Sequence, residues 1–445
     1  MSGVPHPRPS FGRGLALIAG AGLAFRLAVA LLVTGEPRPF TDPEYYRLLA
    51  DVIAQGEGFV RPYDFVLRGA NVPTAEHPPL HPLVLGAASW LGLGSLTAHK
   101  VLLCLLGTGT VVAIGLLGRR IGGNRVGLAA AAIGACYPLL VLADGSLMAE
   151  SLYGLLIAAS LLAAYRLADH PSWRPAAALG ALLGLAALTR SEALLLVPLL
   201  GLPLAWGGGA GRLRRAGALV ATLVVVLLPW SIRNAVTFER PVPLSTNESV
   251  TLVGANCAET YRAGELLGYW NPDCNSPVRF PAEESQQAAV WRREGLDHAT
   301  GHLGRLPIVL GTRVLGTWDL YRPERSVGRQ AGDELRNLTL QKLGTGMYYL
   351  LLPLATLGLV LLRRRGTRIL PLVAPALAVT LSSVASYGLE RFRFAAEVPL
   401  VVAAAVACVA LAERSPVSWR RATKQQAQAQ KPLPESPLIA RKRLA

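Results

Sequence analysis

Long apolar runs separated by short polar stretches dominate the chain. Ten such runs occur, at residues 14–33, 101–118, 126–143, 146–165, 176–189, 192–206, 216–230, 344–362, 369–387 and 394–412. A helical membrane span requires about 20 mostly apolar residues, and several runs reach that length with at most one ionisable residue. The pattern predicts an all-α polytopic membrane protein with about ten transmembrane helices. The runs at 176–189 and 192–206 are short, so they are either tilted helices or a re-entrant pair.

An eleventh apolar run, residues 79–93, decides the orientation of the chain. It is short and contains Pro82, which favours a helix that lies along the membrane interface. If this run does not cross the membrane, four arginine clusters and both termini lie on the same side of the membrane. These clusters are at residues 119–125, 166–174, 212–215 and 363–368. The positive-inside bias makes that side cytoplasmic.

Two long segments then lie outside the cell membrane, and the rest of the chain divides around them. Residues 1–230 form a transmembrane module whose first exterior loop spans residues 34–98. Residues 231–343 form a small exterior domain with interfacial aromatic residues. Residues 344–412 supply the last transmembrane helices. Residues 413–445 are predicted to be a basic, disordered cytoplasmic tail.

Composition and charge narrow the class further. Hydrophobic residues make up 52% of the 445 residues, which excludes an ordinary soluble domain. The net charge of +16 does not indicate nucleic acid as a partner, because the arginines lie between apolar runs. Of the five cysteines, Cys257 and Cys274 share the second exterior segment. A disulfide between them is favoured over free thiols or a metal site, because that compartment is oxidising.

Candidate chemistry concentrates in the first exterior loop. Asp42 follows the first apolar run and precedes Pro43, so it suits the N-cap of a helix that continues to about Gln55. The same carboxylate, beside Tyr46, is also placed to accept a proton from a hydroxyl group. Further along, Glu76 and His77 precede the interfacial helix, where they either form a polar turn or face the membrane surface.

Ionisable residues near the exterior ends of the helices are the second group of candidates. Glu150 lies near such an end, and ionisable groups in membrane helices are often functional or paired. Four arginines are placed either to bind a phosphate or to anchor a helix at the interface. They are Arg190, Arg233, Arg391 and Arg393.

Five features, taken in order, resemble the GT-C glycosyltransferases of the family 39 type, which includes protein O-mannosyltransferases and lipid A aminoarabinose transferases. The features are the acid Asp42, Glu-His-Pro-Pro-Leu at 76–80, Leu-Thr-Arg-Ser-Glu-Ala at 188–193, Pro-Trp-Ser-Ile-Arg-Asn at 229–234 and Arg-Phe-Arg-Phe at 391–394. The resemblance covers most of residues 14–400. His77 departs from the aminoarabinose type, which carries lysine there.

The resemblance implies a hexosyl- or pentosyltransferase that moves a sugar from a polyprenyl-phosphate donor to an extracytoplasmic hydroxyl with inversion. The acceptor is a lipid, a protein or a glycan. Asp42 matches the catalytic acid position, as a general base. Tyr46 and Glu76 match positions that line the same cavity, where the glutamate can contact a divalent metal ion. The rival interpretation is a multi-pass transporter or flippase, but that class favours ionisable groups near the membrane midplane.

Overall fold

The described residues form helices joined by loops in the computed structural model, which describes residues 10–207, 209–275 and 283–413. No β-strand occurs within these ranges, where the β pairing is limited to an isolated antiparallel bridge between Val60 and Pro73. The prediction of an all-α polytopic membrane protein is confirmed. The predicted C-terminal tail lies outside the described residues, apart from its first residue.

Eighteen α-helices are present in these ranges. They are α1 (Phe11–Leu32), α2 (Asp42–Ala54), α3 (Pro62–Arg68), α4 (Leu80–Trp90), α5 (Leu96–Cys136), α6 (Pro138–Gly145), α7 (Glu150–Asp169), α8 (Trp173–Ala187), α9 (Leu202–Trp206), α10 (Arg212–Thr237), α11 (Asn247–Ala255), α12 (Ala258–Tyr261), α13 (Glu284–Gly301), α14 (Leu306–Thr317), α15 (Pro323–Asp333), α16 (Leu338–Arg364), α17 (Leu370–Ala385) and α18 (Phe394–Glu413). Shorter turns of 3₁₀ or π type occur at Ser191–Leu195, Val197–Gly201, Pro272–Cys274 and Glu390–Arg393.

Six of the described helical segments are long and apolar enough to cross a membrane. They are α1, α5, α7, α10, α16 and the segment from Glu390 to Glu413 that contains α18. Shorter apolar helices lie between them, among them α8, α17 and the broken segment Ser191–Trp206. The ten predicted runs therefore all lie in helical segments. One further short apolar helix, α14, lies in the segment that was predicted to be an exterior domain.

The longest helix, α5, accounts for two of the predicted spans. Its axis reverses at Gly123, whose φ of 82° is a left-handed conformation that glycine adopts without strain. The two limbs then pack so closely that a Cβ atom on Gly127 would lie 2.7 Å from the carbonyl oxygen of Gly115. This reversal places residues near 123 at the opposite end of the bundle from residues 96 and 136.

Helix α18 separates two polar ends of the molecule. Arg391 lies just before its first residue, and Glu413 ends it with an ion pair to Arg125 at 2.9 Å. Twenty helical residues span about 30 Å, the thickness of a bilayer core. Two cavities, of about 350 and 490 Å³, lie at the Glu413 end and are lined by Arg125 and Arg368, respectively. The predicted catalytic and substrate-binding residues near Asp42 lie at the Arg391 end.

Two predicted boundaries differ in the structure. The run at 216–230 belongs to α10, which continues to Thr237, and α16 begins at Leu338 rather than near residue 344. Helix α4 has 11 residues, about 16 Å, and is too short to cross a bilayer. It packs against α2, where a Cβ atom on Gly86 would lie 2.8 Å from Ile53. This length agrees with a helix that does not cross.

Candidate active site

Asp42 lies at the first position of α2 rather than at its N-cap, so the predicted capping role is wrong. Thr41 is the N-cap, and its side chain makes no capping hydrogen bond. Asp42 and Glu44 both lie in the first turn, where the helix dipole favours negative charge. The Asp42 carboxylate is therefore free to bind a partner from elsewhere in the fold.

That partner is Arg391, which a second carboxylate shares. Arg391 Nη1 lies 3.0 Å from Asp42 Oδ2 and 2.9 Å from Glu334 Oε1. The Asp42 side chain is 37% exposed, whereas that of Glu334 is 6% exposed. Glu334 thus binds Arg391 on the side of the protein interior, and Asp42 binds it on the accessible side.

The charges around Asp42 keep its carboxyl group ionised. Burial raises the pKa of Asp42, but Arg391, His77 and Arg190 together outweigh burial and lower it below the usual value. Asp42 therefore carries a negative charge at neutral pH and can accept a proton.

Arg190 forms a second pair beside this carboxylate. Its Nη1 lies 2.7 Å from Glu150 Oε1, and its Nε lies 2.5 Å from Glu192 Oε1. Glu150 is fully buried at the start of α7, and its Oε2 has no hydrogen-bond partner. The five residues Asp42, Glu150, Arg190, Glu334 and Arg391 are called the Asp42 cluster below.

Tyr46 and His77 form an aromatic layer against the cluster. Their ring centroids lie 4.8 Å apart, and Tyr46 also contacts His81 at 4.8 Å. Burial lowers the pKa of His77, although the charge of Asp42 opposes this shift. At neutral pH His77 is therefore less able than a lysine to carry a positive charge.

Glu76 lies beside the cluster but is held by a different part of the chain. Burial, followed by the charges of Glu284 and Asp42, raises the pKa of Glu76 to about 7. Glu284 begins α13 and accepts hydrogen bonds from the backbone N–H of Ala75 and from Thr246, both at 2.8 Å. The segment at 231–343, which was predicted to be an exterior domain, therefore packs directly on the loop that carries Glu76.

Among the described residues, Glu76 does not lie in a group of three ligand side chains close enough to share a metal ion. Among the described residues, Cys257, Glu259 and Cys274 are the group whose ligand atoms lie close enough to share an ion. Cys257 and Cys274 are joined in a disulfide in the structure, so their sulfurs are not available as thiolates. Glu76 does not belong to this group.

Two of the predicted arginines lie outside the Asp42 cluster and stabilise the fold. Arg233 donates hydrogen bonds to the carbonyl oxygens of Thr74 and Phe59, at 2.9 and 2.8 Å, and so positions the loop before Glu76. Arg393 is fully buried and pairs with Asp319 at 3.0 Å and Glu397 at 2.6 Å. Arg391 and Arg393 are separated by one residue, but only Arg391 faces Asp42.

Sequence reasoning did not identify three of the carboxylates at this end of the molecule. They are Glu192, Glu284 and Glu334. Glu192 lies next but one to Arg190 in the motif at 188–193, so its spacing was a usable signal. Glu284 and Glu334 lie in the charged segment at 231–343, where nothing in the local pattern separates them from other acids.

Comparison with known proteins identifies the fold. Residues 76–232 match the family model described as dolichyl-phosphate-mannose-protein mannosyltransferase. This range contains Glu76, His77, Glu150 and Arg190, whereas Asp42 and Arg391 lie outside it. Among curated proteins, none has a sequence that matches this chain.

The fold is similar to that of a solved archaeal oligosaccharyltransferase. The apo oligosaccharyltransferase of Archaeoglobus fulgidus aligns with a TM-score of 0.54 at 15% identity, over 95% of this chain and 53% of that one. The same enzyme tethered to an acceptor peptide containing the NVT sequon gives 0.53 at 14% identity, over 95% and 52%. ArnT from Cupriavidus metallidurans bound to undecaprenyl phosphate gives 0.41 at 18% identity, over 95% and 82%. The chain thus spans about half the length of the archaeal enzyme. The resemblance to GT-C glycosyltransferases is confirmed.

Proposed function

We propose that this chain is a membrane glycosyltransferase that moves a sugar from a polyprenyl-phosphate donor to an extracytoplasmic hydroxyl group, with inversion. One observation carries the proposal. An ionised and accessible carboxylate, Asp42, shares a guanidinium group with the buried Glu334, and a second arginine lies beside it. This arrangement offers a base and positive charge in one place.

The reaction makes one bond and breaks one bond at the anomeric carbon. The acceptor oxygen attacks this carbon while its proton passes to the Asp42 carboxylate. The bond from the anomeric carbon to the phosphate oxygen breaks, and its electron pair leaves with the phosphate. The products are a glycoside of inverted configuration and polyprenyl phosphate. The name of the matching family model, which specifies dolichyl-phosphate mannose, supports this donor class.

Arg391 and Arg190 supply positive charge where the phosphate accumulates negative charge. Guanidinium groups bind phosphate oxygens in a planar, two-pronged geometry. Arg391 Nε is buried and has no hydrogen-bond partner, so part of its binding capacity is unused in the structure. The Arg391 side chain is 15% exposed, which leaves it accessible to a ligand. Preorganised charge of this kind stabilises a leaving phosphate without rearrangement.

The position of the cluster supports an extracytoplasmic site. The arginine-rich turns at the other end of the bundle contain Arg120, Arg125 and Arg368, and the positive-inside bias assigns that end to the cytoplasm. The length of α18 separates the two ends by about 30 Å. Both termini then lie in the cytoplasm, and the Asp42 cluster opens on the other side of the membrane.

The proposal is tested by sugar transfer in proteoliposomes. The purified protein is mixed with radiolabelled dolichyl-phosphate mannose, or with the corresponding glucose or galactose donors, and with a membrane extract that supplies acceptors. We expect label to move into the extract, and we expect Asp42→Asn to lower the rate by about a hundredfold or more. Asp51→Asn, on the same helix but facing Arg47 and Ser89, is the matched control and should keep the rate. Equal rates for Asp42→Asn and the natural protein would remove the general base from the proposal.

A further inference from the structure

Helix α15 buries polar side chains that have no hydrogen-bond partner among the described residues. Ser326 and Gln330 are each 1% exposed. The Ser326 hydroxyl and both amide atoms of Gln330, Oε1 and Nε2, make no hydrogen bond. More than nine in ten buried polar groups in proteins are bonded, so an amide with its whole capacity unused requires an explanation.

The same face of α15 leads to the Asp42 cluster. Ser326, Gln330 and Glu334 are spaced four residues apart, so they lie along one side of the helix and its C-terminal end. Glu334 binds Arg391 at 2.9 Å, and Arg391 binds Asp42 at 3.0 Å. Gln330 lies one helical turn, about 6 Å along the axis, from Glu334. A single sugar ring bridges such a distance.

Aromatic rings border the region between α15 and the cluster. Tyr269 lies under the guanidinium of Arg325, an α15 residue, at 4.5 Å from its ring centroid. Tyr269 also contacts Tyr387, with ring centroids 5.4 Å apart. Tyr387 in turn contacts Phe392, the residue that follows Arg391, with ring centroids 4.8 Å apart. Aromatic faces beside polar groups suit a ring that has both apolar and hydroxyl surfaces.

We propose that Ser326 and Gln330 bind hydroxyl groups of the donor sugar while its phosphate meets Arg391. The inference rests on the proposed function and adds the side chains that recognise the sugar. An amide presents a donor and an acceptor side by side, and neighbouring sugar hydroxyls each donate and accept. A phosphate would use only the donor, and a prenyl chain would use neither. The chemistry of this face therefore favours a hydroxyl-rich ligand.

Binding of four dolichyl lipids, three that carry a sugar and one that does not, tests the inference. Dolichyl-phosphate mannose, glucose and galactose are compared with sugar-free dolichyl phosphate on the full-length protein in nanodiscs. We expect the natural protein to bind at least one sugar-bearing lipid more tightly than dolichyl phosphate. Gln330→Met should reduce that preference about tenfold, the equivalent of one or two hydrogen bonds, without changing the affinity for dolichyl phosphate.

The stability of the variants separates recognition from a structural role. Because the Gln330 amide and the Ser326 hydroxyl have no partner in the part of the chain that the structure describes, Gln330→Met and Ser326→Ala should keep or raise the thermal midpoint. Gln341→Met is the matched contrast, because the Gln341 amide donates to both oxygens of Glu390 at 3.0 and 2.8 Å. That variant should lower the midpoint.

Three outcomes would overturn the inference. The first is a sugar preference that survives Gln330→Met and Ser326→Ala together. The second is a natural protein that binds all four lipids equally. The third is a loss of stability in Gln330→Met equal to that in Gln341→Met. The proposed function fails separately, if the natural protein binds none of the lipids and transfers no label.

Discussion

Two arginine–carboxylate pairs in this protein differ in how completely they are satisfied. Arg26, in the middle of α1, binds Asp144 at 2.7 Å and donates to the carbonyl oxygens of Ala135 and Gly134 at 3.0 and 2.9 Å. Both partners are at most 2% exposed. Ser151 donates a further hydrogen bond to Asp144 at 2.6 Å. This closed pair uses its donors within the protein, as a structural ion pair in a membrane must.

The Asp42 cluster is built from the same chemical groups but leaves capacity unused. Arg391 offers one nitrogen, Nη1, to both Asp42 and Glu334, while its Nε has no hydrogen-bond partner. Asp42 is 37% exposed. Burying a charged group is costly unless the group is paired. A fully bonded ion pair therefore indicates a structural role, whereas a charged group that stays accessible and incompletely bonded indicates a ligand site. Substitutions should therefore affect stability in the closed pair and transfer in the cluster.

The largest expected effect on stability comes from breaking the closed pair. Arg26→Met leaves Asp144 buried without its counter-ion, and we expect a loss of about 3–5 kcal/mol of unfolding free energy. Thermal unfolding in detergent micelles measures it. Arg26→Met combined with Asp144→Leu should regain most of the loss. An unchanged midpoint in Arg26→Met alone would show that the pair does not stabilise the fold.

Changing the guanidinium of the cluster should affect transfer with little change in stability. Arg391→Lys keeps the positive charge but loses the planar geometry that binds a phosphate. We expect the rate of sugar transfer to fall about a hundredfold, as when one preorganised donor is removed, with a nearly unchanged thermal midpoint. If Arg391→Lys instead lowered the thermal midpoint strongly and kept the normal rate of sugar transfer per folded molecule, Arg391 would have a structural role, like Arg233 and Arg393.

A smaller effect is expected at Glu334, which positions Arg391. Glu334→Gln keeps the shape but weakens a hydrogen bond to a charged group, and we expect about a tenfold lower transfer rate. Arg391 would then shift, so the affinity for dolichyl phosphate should also fall. Glu248→Gln is the matched control, because Glu248 is 64% exposed and pairs with Arg292 on the surface. Equal rates in both variants would assign Glu334 no positioning role.

The smallest effect concerns the pH dependence of stability at Glu76. Its pKa rises from 4.5 to about 7 on folding, so the folded state holds a proton that the unfolded state releases. This contribution is complete below about pH 4.5 and is lost as the pH rises through about 7. The thermal midpoint of the natural protein should therefore fall between about pH 5 and pH 8, and Glu76→Gln should flatten that slope. Identical slopes would contradict the raised pKa.

The sequence was informative where charge interrupts an apolar pattern. Glu150, Arg190 and Arg391 lie at or near the ends of apolar runs, and Asp42 lies in the loop after the first run. The structure brings these four side chains to one end of the bundle. The ten apolar runs likewise predicted the helices, because membrane spans must satisfy their own backbone.

The sequence was less informative where partners lie far apart in the chain. Arg391 and Glu334 are separated by 57 residues, and Glu284 and Ala75 by 209. No local periodicity encodes such contacts. Arg393 shows the same limit at short range, because the 3₁₀ turn at Glu390–Arg393 directs two nearby arginines to different partners. That turn, rather than the composition of the segment, decides which arginine meets Asp42.

Accessibility of the cluster and of the closed pair can be compared in one experiment. Asp42→Cys membranes, sealed with the extracytoplasmic side outward, are treated with a membrane-impermeant maleimide, and modified cysteines are mapped by mass spectrometry. Native Cys104 is fully buried beside Asp144 and Arg26, so it reports on the closed pair. We predict that position 42 is modified, that added dolichyl phosphate slows this modification, and that Cys104 stays unmodified. Two results would contradict an extracytoplasmic site that is open to a lipid-linked donor. One is that the cysteine at position 42 reacts only after the vesicles are opened, and the other is that it reacts no faster than Cys104.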